Sequence, residues 1–273
     1  MSSWPQTLAL VGAGKMGAAL LNGWLAGGLP ADRVFIVEPA PARAIVDLAA
    51  RTALRLNPRI EGLKPPDALV FAVKPQAFAA AAETARPLAG ADTLVLSIMA
   101  GKRISDIASR LPQAKTIVRA MPNLPASVGR GVSAAVANRP LDAERRGWSE
   151  KLLTAVGAFH WLNDEGLIDA VTAISGSGPA YVFALVEAMA AAGEGLGLPS
   201  DVAMALARGT VEGAGELLHC EPKTSAATLR ENVTSPGGTT AAALEILRGE
   251  NGLNALMARA AAAAKRRAQE LAG

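Results

Sequence analysis

The chain has 273 residues, half of them apolar (51%) and few aromatic (4%), enough for one large or two ordinary domains around a buried core. Its formal charge of +3 is small, and the densest basic spots, Arg145-Arg146 and Lys265-Arg266-Arg267, lack interleaved aromatics, which argues against a nucleic-acid surface. A single cysteine, Cys220, excludes an intramolecular disulfide framework; with no charged, apolar and cleavage-site succession at the start, the expected compartment is a reducing cytoplasm.

In chain order, the short apolar run 7–11 reads as a strand ending in Gly12-Ala13-Gly14-Lys15-Met16-Gly17. An amphipathic helix over 18–26 follows and stops at Gly27-Gly28. The next strand, 33–37, ends at Glu38-Pro39 and leads to a helix over 41–53. A buried strand over 68–73 is closed by Lys74-Pro75, then a helix over 76–86 stops at Pro87. A strand over 93–98 ends at Ala100-Gly101; a helix over 104–111 and a strand over 116–119 come next. Strands alternating with helices of this length predict an α/β, Rossmann-type, doubly wound parallel sheet.

The pattern changes near residue 160. From residue 167 onward the spacing is helical, over 179–196, 200–218, 237–247 and 251–271. The predicted division is an α/β domain over 1–163 and an all-helical domain over 164–273. The longest uncharged apolar stretch, 170–186, contains Ser175-Gly-Ser-Gly-Pro179 and is not read as a membrane span. Gly209 and Gly213, four apart, either permit close helix packing or are merely small residues. Cys220 beside His219 lacks metal-ligand spacing, so no metal site is expected. His160, at a predicted strand end, and His219, at a helix end, are not read as catalytic.

Three glycines after a strand and before a helix are the context that a dinucleotide turn requires. Gly12 allows the tight turn, Gly14 lets the backbone reach a pyrophosphate, and Gly17 lets the helix pack close. Glu38 ends the second strand, where an acid bonds the ribose 2′-hydroxyl and opposes a 2′-phosphate, which favours NAD(H). Lys15 and Arg43 stand against this as nearby groups able to neutralise a phosphate; a plain capping or surface role for Glu38 is the other reading.

Asn232-Val-Thr-Ser235-Pro-Gly237-Gly238-Thr239-Thr240 runs directly into an apolar, alanine-rich helix. Ser or Thr followed by Pro reads as a capped helix start with Pro at the first helical position. Glycines in that turn leave bare backbone, and free N–H groups at a helix N-terminus suit a carboxylate or phosphate. Thr239 and Thr240 add directed hydroxyls. Two readings also stand for Asn123 (cofactor amide or turn chemistry) and for Ser175–Pro179 (structural support or nicotinamide positioning).

Several segments together resemble the pyrroline-5-carboxylate reductases: Gly12–Gly17, Ala72-Val73-Lys74-Pro75-Gln76, Ser97-Ile98-Met99-Ala100-Gly101, the run 119–129, Ile174-Ser-Gly-Ser-Gly-Pro-Ala-Tyr181 and Thr234–Thr240. The resemblance implies reduction of 1-pyrroline-5-carboxylate to L-proline with NADH or NADPH. It also implies a helical domain that forms a homodimer or a ring of dimers. By residue, Gly12, Ala13, Gly14, Lys15, Met16 and Gly17 would hold the pyrophosphate. Ala72, Val73, Lys74 and Pro75, with Ile98, Met99 and Ala100, would line the nicotinamide half, and Asn57 would contact the adenosine ribose. Glu165 and Asn232 match positions near nicotinamide and substrate, and Ser235, Gly237, Gly238, Thr239 and Thr240 match the substrate loop. The chain departs from the family pattern at Lys15 and Glu38-Pro39, which leaves the NADPH preference of many members open here.

The expected chemistry is a grip on the substrate carboxylate by the N–H groups of Gly238, Thr239 and Thr240, with the Thr240 hydroxyl on the ring nitrogen. Rival readings are a two-domain β-hydroxyacid-type dehydrogenase, a reductase of a related cyclic imine, and a non-catalytic dinucleotide sensor. The first needs a Lys and an Asn on the helix over 179–196, which has neither. The last would need no hydroxyl-rich loop.

Overall fold

The computed structural model describes residues 4–272. β1 (Leu8–Val11) runs into the glycine turn, followed by α1 (Lys15–Ala26), β2 (Val34–Val37), α2 (Arg43–Arg51) and a two-residue β3 (Arg55–Leu56). β4 (Ala68–Phe71), α3 (Phe78–Ala85), β5 (Leu94–Ser97), α4 (Ile104–Arg110) and β6 (Thr116–Met121) continue the alternation. β7 (Gly131–Ala137), α5 (Ala143–Thr154) and β8 (Gly157–Trp161) complete it. The sheet order is β3-β2-β1-β4-β5-β6-β7-β8. Neighbours are parallel except β6 and β7, which run antiparallel.

β1, β4 and β5 are buried along their whole length, which is why each reads as a continuous apolar run rather than an alternation. Leu8 and Leu10 enter one core with Leu20, Trp24 and Leu152; Ala9 and Val11 enter the other with Phe78, Leu88 and Ile107. The Trp24 indole N–H donates to the Leu152 carbonyl at 2.8 Å, so its one polar atom is satisfied inside the first core.

The sheet is larger than the sequence pattern predicts. β3 is too short to register as a pattern. β7 is built of Gly, Val, Ser and Ala, and its place is set by pairing with β6 rather than by β propensity. α5 was also not foreseen; the Asp142 side chain caps it by accepting the Arg145 N–H at 2.7 Å. That backbone hydrogen bond chiefly holds the Asp142 carboxyl below its ordinary value; desolvation opposes it, and the Arg145 guanidinium adds to the lowering. A depressed carboxyl stabilises the fold above its unfolded titration range and loses that contribution as pH falls through the folded value. As the loss of an N-cap, with the charge contribution reduced by solvent screening, Asp142→Ala should cost about 1 kcal/mol near neutral pH. In urea melts, the gap between variant and parent should close as pH drops below the usual aspartate range.

α6 (Ile168–Val171) and a π-helical turn, Thr172–Gly176, lead to α7 (Gly178–Gly195), α8 (Ser200–Cys220), α9 (Ala226–Asn232), α10 (Thr239–Leu247) and α11 (Leu253–Ala272). The chain divides into two compact units, Met1–Gly176 with Ala264–Gly273, and Ser177–Ala263. The boundary expected after residue 163 follows the last strand, whereas the compact division comes at the junction of the π turn and α7. The second unit is wholly helical. Among its described residues only Ala190, Ala203 and Ala207 are buried. α9, seven residues long and capped by Ser225, is too short for its periodicity to be read.

Candidate active site

In the first unit, the turn after β1 has the geometry that its glycines imply. Gly12 sits at φ +93, and a Cβ there would meet the Ala72 carbonyl at 2.8 Å. A Cβ on Gly17 would lie 2.2 Å from the Gly12 carbonyl oxygen, so α1 can approach the turn only with glycine there. Around Gly14 a Cβ would meet nothing within 4 Å, leaving bare backbone on an open face. Gly14 is the N-cap of α1 and brings no side-chain acceptor. The first N–H groups of α1, from Lys15, Met16 and Gly17, have no helical partner and point from the positive end of the helix. Such an arrangement is chemically able to hold a pyrophosphate.

Beside it lies a groove of about 520 Å³. Gly12, Gly14, Glu38, Asn57, Ala72, Val73 and Lys74 all line it, as do Val11, Val37 and Pro39. The groove thus follows the carboxyl ends of β1, β2 and β4, where an open α/β sheet binds dinucleotides. The fit to a nicotinamide dinucleotide rests on the open face at Gly14 and the uncapped start of α1.

Other expected cofactor residues are placed differently. Ala13 is buried, and its N–H donates to Glu38 Oε2 at 2.9 Å, so it braces the turn rather than facing solvent. Ile98 and Met99 send their side chains into the two cores of the sheet, and Ala100 is exposed. The first two can therefore offer a ligand only main-chain groups. Pro75 opens a short 3-10 turn, Pro75–Ala77, ahead of α3. Lys15 is exposed on α1 and Met16 packs against the first core. Asn57 lines the groove, and its amide is engaged by the Glu38 main chain, Oδ1 accepting the Glu38 N–H and Nδ2 donating to the Glu38 carbonyl, at 2.8 Å each.

In the second unit, Asn232 is the last residue of α9 and the Thr234 hydroxyl donates to the Arg230 carbonyl at 2.6 Å. Ser235 and Pro236 do not begin the next helix. They form a turn in which the Gly238 N–H donates to the Ser235 carbonyl at 3.0 Å, with Gly237 at φ +70. Gly238 is the N-cap of α10, with no side-chain cap, and Thr239 is the first helical residue. The expected start at Ser235-Pro236 is thereby corrected by three residues: the left-handed conformation at Gly237 breaks the helix path. The Gly238 N–H, expected to be free, is engaged. The N–H groups without a helical acceptor are those of Thr239, Thr240 and Ala241, since Ala242 donates to the Gly238 carbonyl at 3.2 Å. Thr240 is half-buried and Thr239, Ser235 and Gly237 are exposed.

A family model described as pyrroline-5-carboxylate reductase dimerisation matches residues 165–271, and one described as NADP oxidoreductase, coenzyme F420-dependent, matches residues 7–101. A pyrroline-5-carboxylate reductase of Pseudomonas aeruginosa is 40% identical over 266 residues, covering 97% of this chain and 96% of that protein. The chain belongs to the pyrroline-5-carboxylate reductase family. A solved pyrroline-5-carboxylate reductase from Coxiella burnetii superposes with a TM-score of 0.89 at 33% identity, covering 98% of this chain and 99% of that one. A Plasmodium falciparum pyrroline carboxylate reductase, solved with NADP bound, superposes with a TM-score of 0.79 at 27% identity, over 98% of both chains.

Within this reductase fold, Glu165 is more tightly held than its sequence position implies. Its Oε1 accepts the Ile104 N–H at 2.8 Å and the Arg119 Nη1–H at 3.0 Å. Arg119 is 3% exposed and also lies 3.9 Å from Asp169. The carboxylate thus ties the start of α4 to β6. Arg119 and Asp169 had no assigned role; a charged residue inside the apolar strand Thr116-Ile-Val-Arg119 was the available signal. Asn123 accepts the Val132 N–H at 2.9 Å and pins the start of β7. Ser177 precedes α7 without a side-chain capping bond. The Ser175 hydroxyl, in the π turn, is buried with no hydrogen-bond partner.

Proposed function

We propose that the chain reduces 1-pyrroline-5-carboxylate to L-proline, the last step of proline biosynthesis. It is an oxidoreductase of the pyrroline-5-carboxylate reductase family that uses NADH or NADPH. The observation that carries the substrate assignment is the uncapped, glycine-led start of α10 with two threonines in its first turn. Three converging N–H groups on the positive end of a helix suit one carboxylate. The substrate carries that carboxylate next to a cyclic C=N bond.

The Thr239, Thr240 and Ala241 N–H groups grip the carboxylate and fix the ring. The Thr240 hydroxyl hydrogen-bonds the ring nitrogen as it gains a proton, which makes the C=N carbon a better hydride acceptor. Gly237 and Gly238 keep the approach free of side chains, and Ser235 holds the turn through its carbonyl. Asn232, at the end of α9, leads into this turn. A reduced nicotinamide, when bound, would supply the hydride. In the first unit, the Gly12–Gly17 turn and α1 hold the pyrophosphate, and the β4 end orients the rest. The protein contributes mainly position and orientation, which needs no strong general base.

The same reading explains the exposed apolar faces of the helical unit. Phe183, Leu206, Leu217 and Ile246 are all more than half exposed, and Gly209 and Gly213 have open space where a Cβ would be. By length and composition alone the helical run Glu165–Gly195 could cross a membrane, at a mean hydropathy of 1.2. A second copy, as homodimer or ring of dimers, is the better cover, because Ser175-Gly-Ser-Gly-Pro179 interrupts the run with polar and helix-breaking residues. Light scattering behind size exclusion should give a dimer or a multiple of one; a stable monomer would contradict this. The reading places the protein in the cytoplasm.

The test is direct. Purified protein mixed with pyrroline-5-carboxylate and NADH or NADPH should consume nicotinamide absorbance and form proline. A small keto acid should not be reduced, because α7 offers neither Lys nor Asn to protonate a carbonyl oxygen. Turnover of the keto acid alone would overturn the assignment. The six-membered imine analogue belongs in the same assay as a measure of ring-size tolerance.

A further inference from the structure

We propose a second ligand site, for a small phosphate monoester, in a cavity at the far end of the sheet from the dinucleotide groove. The cavity, of about 280 Å³, lies where β7 and β8 end and the chain turns into α5. Arg139, Leu141, Arg146, Trp161, Leu162 and Asn163 are among its walls. β7 runs antiparallel to β6, and its last residue, Ala137, lies opposite Val118 near the start of that strand. β8 runs with β7. The carboxyl ends of β7 and β8 therefore lie with the amino ends of β4, β5 and β6, whereas the dinucleotide groove follows the carboxyl ends of β1, β2 and β4.

One wall is assembled in advance. The Arg146 guanidinium lies over the Trp161 ring at 5.1 Å, and its Nε is 3.0 Å from Glu150 Oε1. The same Oε1 accepts the Trp161 indole N–H at 2.7 Å. Glu150 thus fixes both cation and ring, and a stacked guanidinium keeps its outer edge for bidentate contact. The Arg146 Nη groups have no partner among the described residues, and neither does the Arg139 side chain. Asn138 braces the end of β7: its Oδ1 accepts the Ile117 N–H at 2.9 Å and its Nδ2 donates to the Lys115 carbonyl at 3.1 Å. Arg145 is committed to Asp92 and Asp142. The run Arg145-Arg146 is therefore not one basic patch; only Arg146 lines the cavity, and its aromatic neighbour comes from β8.

Of the residues lining the cavity only Arg139 and Arg146 are charged, and Glu150 is not among them. The acids next to it in sequence are engaged: Asp142 accepts the Arg145 N–H at 2.7 Å and Asp164 the Gly166 N–H at 2.9 Å. Two guanidinium groups facing one cavity suit a dianion. A phosphate monoester carries about −1.5 to −2 charge near neutral pH and three acceptor oxygens. Planar guanidinium forks match those oxygens in pairs. Leu141, Leu162 and the Trp161 ring offer apolar surface to the organic group, and the Asn163 amide adds a polar contact. The volume falls just below the roughly 300–1,000 Å³ of drug-sized ligand sites, so the ester is nearer in size to a triose phosphate than to a nucleotide. The inference is independent of the substrate assigned to α10.

The starts of α1 and α10 also suit anions, so the readout must be local to the cavity. Titration of the 15N-labelled full chain with glycerol 3-phosphate, followed at the Trp161 indole N–H signal (assigned with Trp161→Phe), meets that need. The signal should shift and saturate with a Kd below about 1 mM. Glycerol should leave it unmoved, and succinate, whose charges sit on two separate carboxylates, should bind about tenfold or more weakly. Arg139→Gln and Arg146→Gln should each raise Kd about tenfold or more. Arg146→Lys keeps the charge without the fork and should recover only part of the affinity. Both arginines are exposed, so the variants should keep the parent's unfolding midpoint and turnover. No shift at Trp161, a shift that persists in the Arg139→Gln, Arg146→Gln double variant, or binding lost in Gly14→Ala instead would overturn the proposal. Succinate binding as tightly as the phosphate ester would overturn it too.

Discussion

Gly17→Ala is expected to abolish measurable nicotinamide binding and to destabilise the fold together. The added Cβ would stand 2.2 Å from the Gly12 carbonyl oxygen and 3.2 Å from the Ala72 Cβ. Neither neighbour is the end of a flexible side chain, so α1 must shift away from the turn. Overpacking of this kind costs roughly 1–3 kcal/mol of stability, occasionally more. The cofactor loses more, because the N–H groups of α1 move off the pyrophosphate; we expect Kd to rise by about a hundredfold or more, equivalent to ~2.7 kcal/mol. Gly14→Ala is the informative partner. Nothing lies within 4 Å of the Cβ it would add. Its backbone, at φ −66, is ordinary for alanine. Stability should therefore stay within about 0.5 kcal/mol while binding weakens, since the new methyl enters the face kept bare for the ligand. Denaturant melts and calorimetry on the two variants separate the roles. Parent-like binding by Gly17→Ala would show that close approach of α1 is not what forms the cradle.

The second large effect is expected in the helical unit. Thr240→Ala should lower kcat by about tenfold to several hundredfold, as for loss of one oriented hydrogen bond or proton-transfer group. The main-chain N–H groups at the α10 start remain in that variant, so KM should change far less than kcat. Thr240→Ser should recover most of the rate, because it restores the hydroxyl. Thr239→Ala, which removes an exposed hydroxyl, should have a smaller effect. An unchanged kcat in Thr240→Ala would remove Thr240 from the chemistry and leave only the carboxylate grip.

The parts of the molecule legible in the sequence are those whose physics is local. The glycine spacing after β1 is a steric statement about backbone, and the continuous apolar runs of β1, β4 and β5 follow from burial on both faces. The long helices of the second unit show in their periodicity. What could not be read depends on partners distant in the chain. The Asn57 amide is engaged by Glu38, 19 residues earlier. Glu165 is held by Arg119 and Ile104, 46 and 61 residues away. β7 has a strand's place and not a strand's composition, since its pairing with β6 decides it. The Ser-Pro-Gly-Gly turn misleads for a different reason: Ser and Pro favour a helix start, but Gly237 takes a positive φ and postpones the helix to Thr239. The N–H groups left without a helical acceptor are shifted by one along the chain from those expected.

That shift makes the central claim measurable. A crystal structure of the protein with L-proline or a five-membered ring carboxylate bound should show the acid group within hydrogen-bond range, about 2.7–3.2 Å, of the Thr239, Thr240 and Ala241 nitrogens. The ring nitrogen should face the Thr240 hydroxyl. A carboxylate held by other groups, with the first turn of α10 left to solvent, would contradict the account.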